Sequence, residues 1–419
     1  MSTDHAARFT PSATEPSWLW ALRSSAMESF AASGFPTPAL EDWKHARLKP
    51  LVGADWSAAP QALAAPTDLD ERLTTLPACR LVLVDGVLDQ ARSSMDALPA
   101  GVTLLSARAA VLSHPELVQR ALARSADHTS RAFVALNLAF WTDGLLLHVA
   151  RGVAVEQPIA LVVASSRPGT TAVRNLILVD DNASVAVVEH YTSLTADARV
   201  NAVTEAQTAA GARLDHVVLQ DHHASTLHVA TLDLAQHRDS IVNSYVFSLG
   251  GAVARTEIRS RLQAPGATCQ LRGLAVGNAK QHHDLLTFVD HAVTNGTSNQ
   301  AFKSILGDRS TGVFNGMVLV RAGADGTNAQ QSNHNLLLSD LADAHARPQL
   351  EIHTDDVKCS HGATVGALDA EALFFLRSRG IPEPHAKAIL TRAFADTVVE
   401  GLPEALRAPV ERALEGALR

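Results

Sequence analysis

Between Gly144 and Lys358 the chain is one short apolar run after another, rich in Val, Ile, Leu and Thr and broken by Gly, Asn and Asp. Almost none of it shows helical periodicity, so this long middle section must be built from strands. The runs Gly144 to Val149, Pro158 to Ala164, Arg174 to Val179, Val185 to His190 and Arg213 to Gln220 follow one another with no helix between them, which excludes a parallel α/β fold. In the segment Val253 to Leu262, Ala254, Thr256, Ile258, Ser260 and Leu262 alternate with Arg255, Glu257, Arg259 and Arg261. That pattern predicts a half-buried strand with a wet outer face. A sandwich, a barrel and a parallel β-helix all remain open. The length of the region, its irregular turns and the lack of a repeated hairpin signal favour the β-helix.

The flanks read differently. From Thr14 to Ser33, Trp18, Leu22, Ala26 and Phe30 recur at helical spacing, with Pro16 in the first turn and Gly34 past the end. Arg80 to Val87 alternates around Asp85-Gly86, a favoured hairpin turn, and helical patterns return between Ser106 and Trp141. After the strands, Asp369 is a helix N-cap, with Leu373, Phe374 and Leu376 inside and Gly380 as the stop. Two more helices follow, from Pro384 to Glu400, with Ala388, Ile389, Ala393, Phe394 and Val398 on one broad face, and from Pro403 to Leu418. Three regions result: a mostly helical 1–143 with a short hairpin, a strand core 144–366, and a helical 367–419. The terminal helices either cap the strand core or dock a partner.

The chemistry is narrowed mainly by exclusion. A net charge of -8 over 419 residues gives no basic surplus, so nucleic acid is not an expected partner. No basic-then-apolar leader opens the chain and no apolar run is long enough to span a membrane, which leads us to expect a cytoplasmic protein. Cys79, Cys269 and Cys359 are three scattered thiols, a pattern that fits a reducing compartment and not a disulfide framework. There is no Gly-x-x-x-x-Gly-Lys-Ser/Thr loop, no Gly-x-Ser-x-Gly elbow and no His-Glu-x-x-His pair. Nothing here hydrolyses nucleotides unaided, and the chain is not expected to be an enzyme.

Histidine is abundant at 19 residues. In a strand, neighbours point to opposite faces, so the doublets His222-His223 and His282-His283 cannot offer both rings to one ion, and both are expected to be solvated. Cys269 should share a face with Leu271 in the core, opposite Arg272, and Cys79 should be structural. Cys359 and His361 differ. Two residues apart on an extended segment, they aim thiol and imidazole the same way, and Lys358 could favour the thiolate. Their ligand types suit iron, zinc or an iron–sulfur cluster, yet two ligands do not close a site.

The segments that carry a resemblance are Phe314-Asn315-Gly316, Gln331 to Leu338, Arg347 to Ile352, Asp355 to Gly366 and Leu376 to Ile381, with Gly34 to Thr37 and Glu41 to Lys44 near the start. Together they resemble the SufB/SufD family of the SUF iron–sulfur assembly system, on its SufD side. The SufB branch carries Cys-Glu-His-Glu-Ala where this chain has Cys359-Ser360-His361-Gly362-Ala363, and the family usually has Tyr where this chain has His45. The resemblance implies a right-handed parallel β-helix between two helical regions. It also implies a scaffold subunit that pairs with SufB through the β-helix ends and docks the SufC ATPase through its C-terminal helices; homodimers of the chain alone are a further expectation. Ile389, Phe394 and Val398 would then meet SufC. Cys359 and His361 would stand at the SufB interface, as metal ligands shared with SufB, where a transient iron–sulfur cluster forms; no cofactor is expected on the chain alone. The competing readings are a parallel β-helix enzyme acting on polysaccharide and a structural β protein without chemistry.

Overall fold

The computed structural model describes residues 2–10, 15–58, 68–95 and 98–418. Successive strands of the middle region join two sheets in alternation. Ile159–Ser165, Ser184–Ser193, Arg213–Gln220, Ile241–Ser248, Thr268–Gly277, Thr297–Leu306, Thr327–Leu337 and Val357–Gly366 lie in a ten-stranded sheet. Leu145–Val149, Gly169–Val179, Ala198–Thr208, Leu227–Gln236, Val253–Leu262, His282–His291, Thr311–Val320 and Asp343–Ile352 lie in a nine-stranded one. Leu227 pairs with Val253, 26 residues on, and Thr311 pairs with Asp343, 32 residues on, both in parallel. Each turn of chain therefore lays one strand on each sheet and advances by one strand spacing, roughly 4.8 Å. The result is a mainly β protein, a parallel β-helix of about 8 turns flanked by N- and C-terminal helices.

One edge of the coil is more regular than its sequence suggests. The turns expected to be irregular place Gly152, Asn182, Gly211, Asp239, Gly266, Asn295 and Gly326 at positive φ, one per turn. The N–H of Asn182 bonds the Ala210 carbonyl at 2.9 Å, that of Gly211 the Arg238 carbonyl at 2.8 Å, and that of Asn295 the Asp325 carbonyl at 2.9 Å. The left-handed turns thus stack into a ladder, and only Gly, Asn and Asp adopt that conformation at low cost.

The first end is closed. Arg80–Val84 pairs in parallel with Ile159–Ser165 and turns back through Asp85 (φ 50) and Gly86 (φ 79) into Val87–Leu88, while Val102–Ser106 runs antiparallel to Leu145–Val149. The far end is open: Val357–Gly366 and Asp343–Ile352 are the last strands of their sheets.

Apolar side chains fill the lumen, among them Val187, Leu214, Ile258, Leu271, Phe302 and Phe314. Both outer faces are covered as well. The helices Glu383–Val399 and Glu404–Ala417 pack Ala395, Val398, Leu406 and Val410 over Val217, Phe247 and Leu274. Ser17–Ser33 and Ala132–Phe140 cover the other sheet through Phe30, Phe133 and Leu138. The first of these helices starts at Ser17 behind Pro16 and ends at Gly34, φ 68; Thr14 lies outside the described residues.

This double cover overturns two expectations. The outer face of Val253–Leu262 is wet only toward its end: Arg255 is 1% and Glu257 8% exposed, while Arg259 is half-buried and Arg261 exposed. The Arg255 guanidinium lies 3.7 Å from the centre of the Trp43 ring and pairs with Asp284, while Glu257 sits between Arg131 and Arg259. Nor are the histidine doublets solvated, except at His223. His222, His282 and His283 are buried. His222 Nε2 lies 3.1 Å from His228 Nδ1, and His283 Nδ1 lies 2.8 Å from Ser248 Oγ. The lumen takes one ring of the second doublet and the N-terminal region shelters the other.

Candidate functional site

Cys359 and His361 lie on the last strand of the ten-stranded sheet, in register with Ala329 and Gln331. Ala329 and Gln331 are buried, so the same alternation puts Cys359 and His361 in the inward row of a turn that no further strand of the described residues covers. Cys359 is half-buried against a small cluster of Val318, Val320, Ala324 and Ala329. His361 is exposed. Across the lumen, Leu350 and Ile352 continue the row of Val318 and Val320, and Ile352 and Val365 are 38% and 51% exposed. The end of the coil is therefore an uncapped cross-section: an apolar rim, two free strand edges, and one thiol beside one imidazole.

The electrostatics modify one expectation. Burial pushes the Cys359 thiol up, and the Ala329 backbone hydrogen bond only partly offsets this. Lys358, next to it in sequence, occupies the opposite face of the strand and does not overcome burial. Partial burial likewise raises Cys79, and complete burial raises Cys269 to about 12, so both behave as packing residues. Among the described residues no group of three or more His, Cys, Asp or Glu side chains could hold a metal ion.

Sequence reasoning missed the inward amides Gln331, Asn333 and Asn335, one strand behind this pair. Their period-two spacing in Gln331 to Asn335 was the available signal.

The predicted docking face is divided by the structure. Val398 is 4% exposed and packs on the sheet, and Phe394 packs beside it with the Lys303 ammonium 4.2 Å from its ring centre. Ile389 remains open, at 47%, with Ala388 and Ala393 exposed on the same face. The exposed apolar surface lies instead on Ala370–Ser378, a helix with no buried residue, where Phe374 and Phe375 are 73% and 57% exposed. Asp369 caps it by accepting from the N–H groups of Glu371 and Ala372. No helix of the described residues is long and apolar enough to cross a membrane.

A filled parallel β-helix, closed at one end and open at the other, with one thiol and one imidazole in the open turn, defines a parallel β-helix protein. Comparison with known proteins gives the family. Residues 162–394 match the model "SUF system FeS cluster assembly, SufBD core domain", and residues 8–161 match the "SufBD protein N-terminal region". The iron–sulfur cluster assembly protein SufD of Escherichia coli is 32% identical over 94% of this chain and 92% of its own length. A SufBD family protein of Synechocystis is 29% identical over 97% and 91%, and SufD of Bacillus subtilis 26% over 94% and 92%. The chain belongs to the SufBD family of iron–sulfur cluster assembly proteins, and is of the SufD type.

Proposed function

We propose that this chain is a non-enzymatic, cytoplasmic scaffold subunit of the SUF machinery, which pairs with SufB across its open last turn and docks the SufC ATPase through its C-terminal helices. The cluster is cargo. Cys359 and His361 supply one side of the place where it is assembled, and SufB supplies the other.

The observation that carries this reading is the position of Cys359 and His361 in the inward row of the uncovered last turn. Free strand edges recruit further strands, and a half-complete ligand pair beside them calls for a partner that brings both. A second copy of this chain could cover the same edge, which makes the homodimer the alternative resting state. For SufC, the supporting surface is Phe374, Phe375 and Ile389, since Val398 is spent on packing. The test is a gentle anaerobic pull-down of the full chain from its native cell. Recovery of SufB and SufC in stoichiometric amounts is expected; recovery of the chain without either would overturn the proposal.

A further inference from the structure

In the strand Thr327–Leu337, alternation turns Gln331, Asn333 and Asn335 into the lumen, one strand behind the row that holds Cys359. Two of these amides are engaged. Asn333 Nδ2 donates to the Phe302 carbonyl at 3.3 Å, and Asn335 Nδ2 donates to the Thr364 carbonyl at 3.1 Å and to Asn333 Oδ1 at 2.6 Å. They brace the last strand to the turns behind it.

Gln331 is not engaged. It is 3% exposed, and among the described residues neither its Nε2 nor its Oε1 has a hydrogen-bond partner. Its room comes from Gly316 on the facing sheet, where a Cβ would lie 2.5 Å from Gln331 Nε2. Behind it, Gln300 Oε1 accepts from Thr287 Oγ1 at 2.6 Å, while Gln300 Nε2 has no partner either. A leucine or methionine would fill the same volume without burying an unpaired amide, so a glutamine here calls for a partner that this arrangement of the chain does not supply. By register that partner is His361, directly beside Gln331 on the next strand, about 4.8 Å away in backbone spacing. Cys359, beside Ala329, has no such amide behind it.

We propose that Gln331 is a positioning residue for His361. When a partner strand or ligand covers the last turn, the Gln331 amide oxygen accepts the N–H of one imidazole nitrogen, leaving the other nitrogen's lone pair aimed at the incoming ligand. This deepens the reading of His361 as part of the assembly site and rests on it.

The test uses Gln331→Leu, Gln331→Met and Gln331→Glu in the full chain, recovered with its native partners. Nitrogen NMR of the histidine-labelled complex reads the His361 tautomer, and absorbance reads cluster formation across pH. The two apolar variants are expected to assemble normally, to lose the single His361 tautomer, and to form cluster about tenfold more slowly. Gln331→Glu keeps an acceptor, so it should retain the tautomer and move the acid limb of the rate profile to higher pH, because a carboxylate favours imidazolium. Wild-type tautomer and rate in Gln331→Leu would overturn the proposal, as would identical behaviour of the Leu and Glu variants. If His361→Ala forms cluster at the wild-type rate, the assembly reading fails instead, and the His361 tautomer still reports on Gln331.

Discussion

Asn295 and Gly326 occupy the same left-handed position in successive turns of the coil, and the side-chain oxygen of Asn295 lies in the space that a Cβ at residue 326 would need. Asn182 stands in this relation to Gly211, and Asp239 to Gly266. Gly326→Ala should therefore cost more than the roughly 1–2 kcal/mol of a left-handed alanine, because it also collides with Asn295. Adding Asn295→Ala should return only the collision part. Denaturant unfolding of both single variants and the double variant measures the coupling, and strict additivity would contradict the stacked-turn account.

Glu205 ties the N-terminal region to the coil. Fully buried, its carboxylate accepts the N–H groups of Ala123, Arg124, Ser125 and Ala126 at 2.7 to 3.1 Å and pairs with Arg174 at 2.6 Å. These contacts hold it ionised: burial alone would raise its pKa, but Arg174 and the amides bring it below the ordinary value. Glu205→Ala leaves Arg174 buried without its carboxylate and should cost about 3–5 kcal/mol in unfolding free energy. Chemical denaturation followed by far-UV circular dichroism is the check.

The buried histidines set a pH dependence. Desolvation pushes His228 and His283 down to about 3 and His291 to about 4, and holds His222 well below its ordinary value. In the unfolded chain they titrate near 6.5. A depressed folded pKa means stability that is complete above pH 6.5 and declines as pH falls toward 4, because only the unfolded chain takes up the protons. Each group contributes a slope of up to about 1.4 kcal/mol per pH unit. Unfolding midpoints between pH 7.5 and 4.5 should fall steadily, and less steeply in His283→Gln.

The two aromatic faces of the C-terminal helices should separate function from folding. Phe374→Asp changes a side chain that is 73% exposed and should move stability by no more than about 0.5 kcal/mol while weakening SufC binding. Phe394→Asp breaks packing on the sheet and the Lys303 contact, and should cost about 1–3 kcal/mol. Thermal unfolding beside a SufC pull-down distinguishes them.

At the open turn, Cys359→Ser and His361→Ala should leave complex yield intact and lower cluster content, since each change is small and lies at a rim. Absorbance of the purified complex against its yield measures both. Full cluster content in both variants would remove this pair from the mechanism.

Much of the local structure was legible from residue types. The Asp85-Gly86 hairpin, the Asp369 cap, the alternating runs and the common direction of Cys359 and His361 all follow from backbone preferences and the two-residue period of a strand. The turn ladder was equally available, since Gly152, Asn182, Gly211, Asp239, Gly266, Asn295 and Gly326 recur about once per turn; it went unread because the repeat lies in turn chemistry and not in a motif.

What neighbouring residues could not determine was which faces would be covered. Arg255 and Glu257 look like a solvated face until Trp43 and Arg131, distant in sequence, close over them. Ile389 and Val398 look like one stripe until the sheet packs against the second and leaves the first open. Gln331 points inward by alternation alone, but its lack of a partner depends on the space left by Gly316 and on Asn333 and Asn335 being spent elsewhere. Alternation and turn conformation are set by a residue and its immediate neighbours. Burial and hydrogen-bond satisfaction are set by whatever the chain brings back from far away, so only the tertiary structure could decide them.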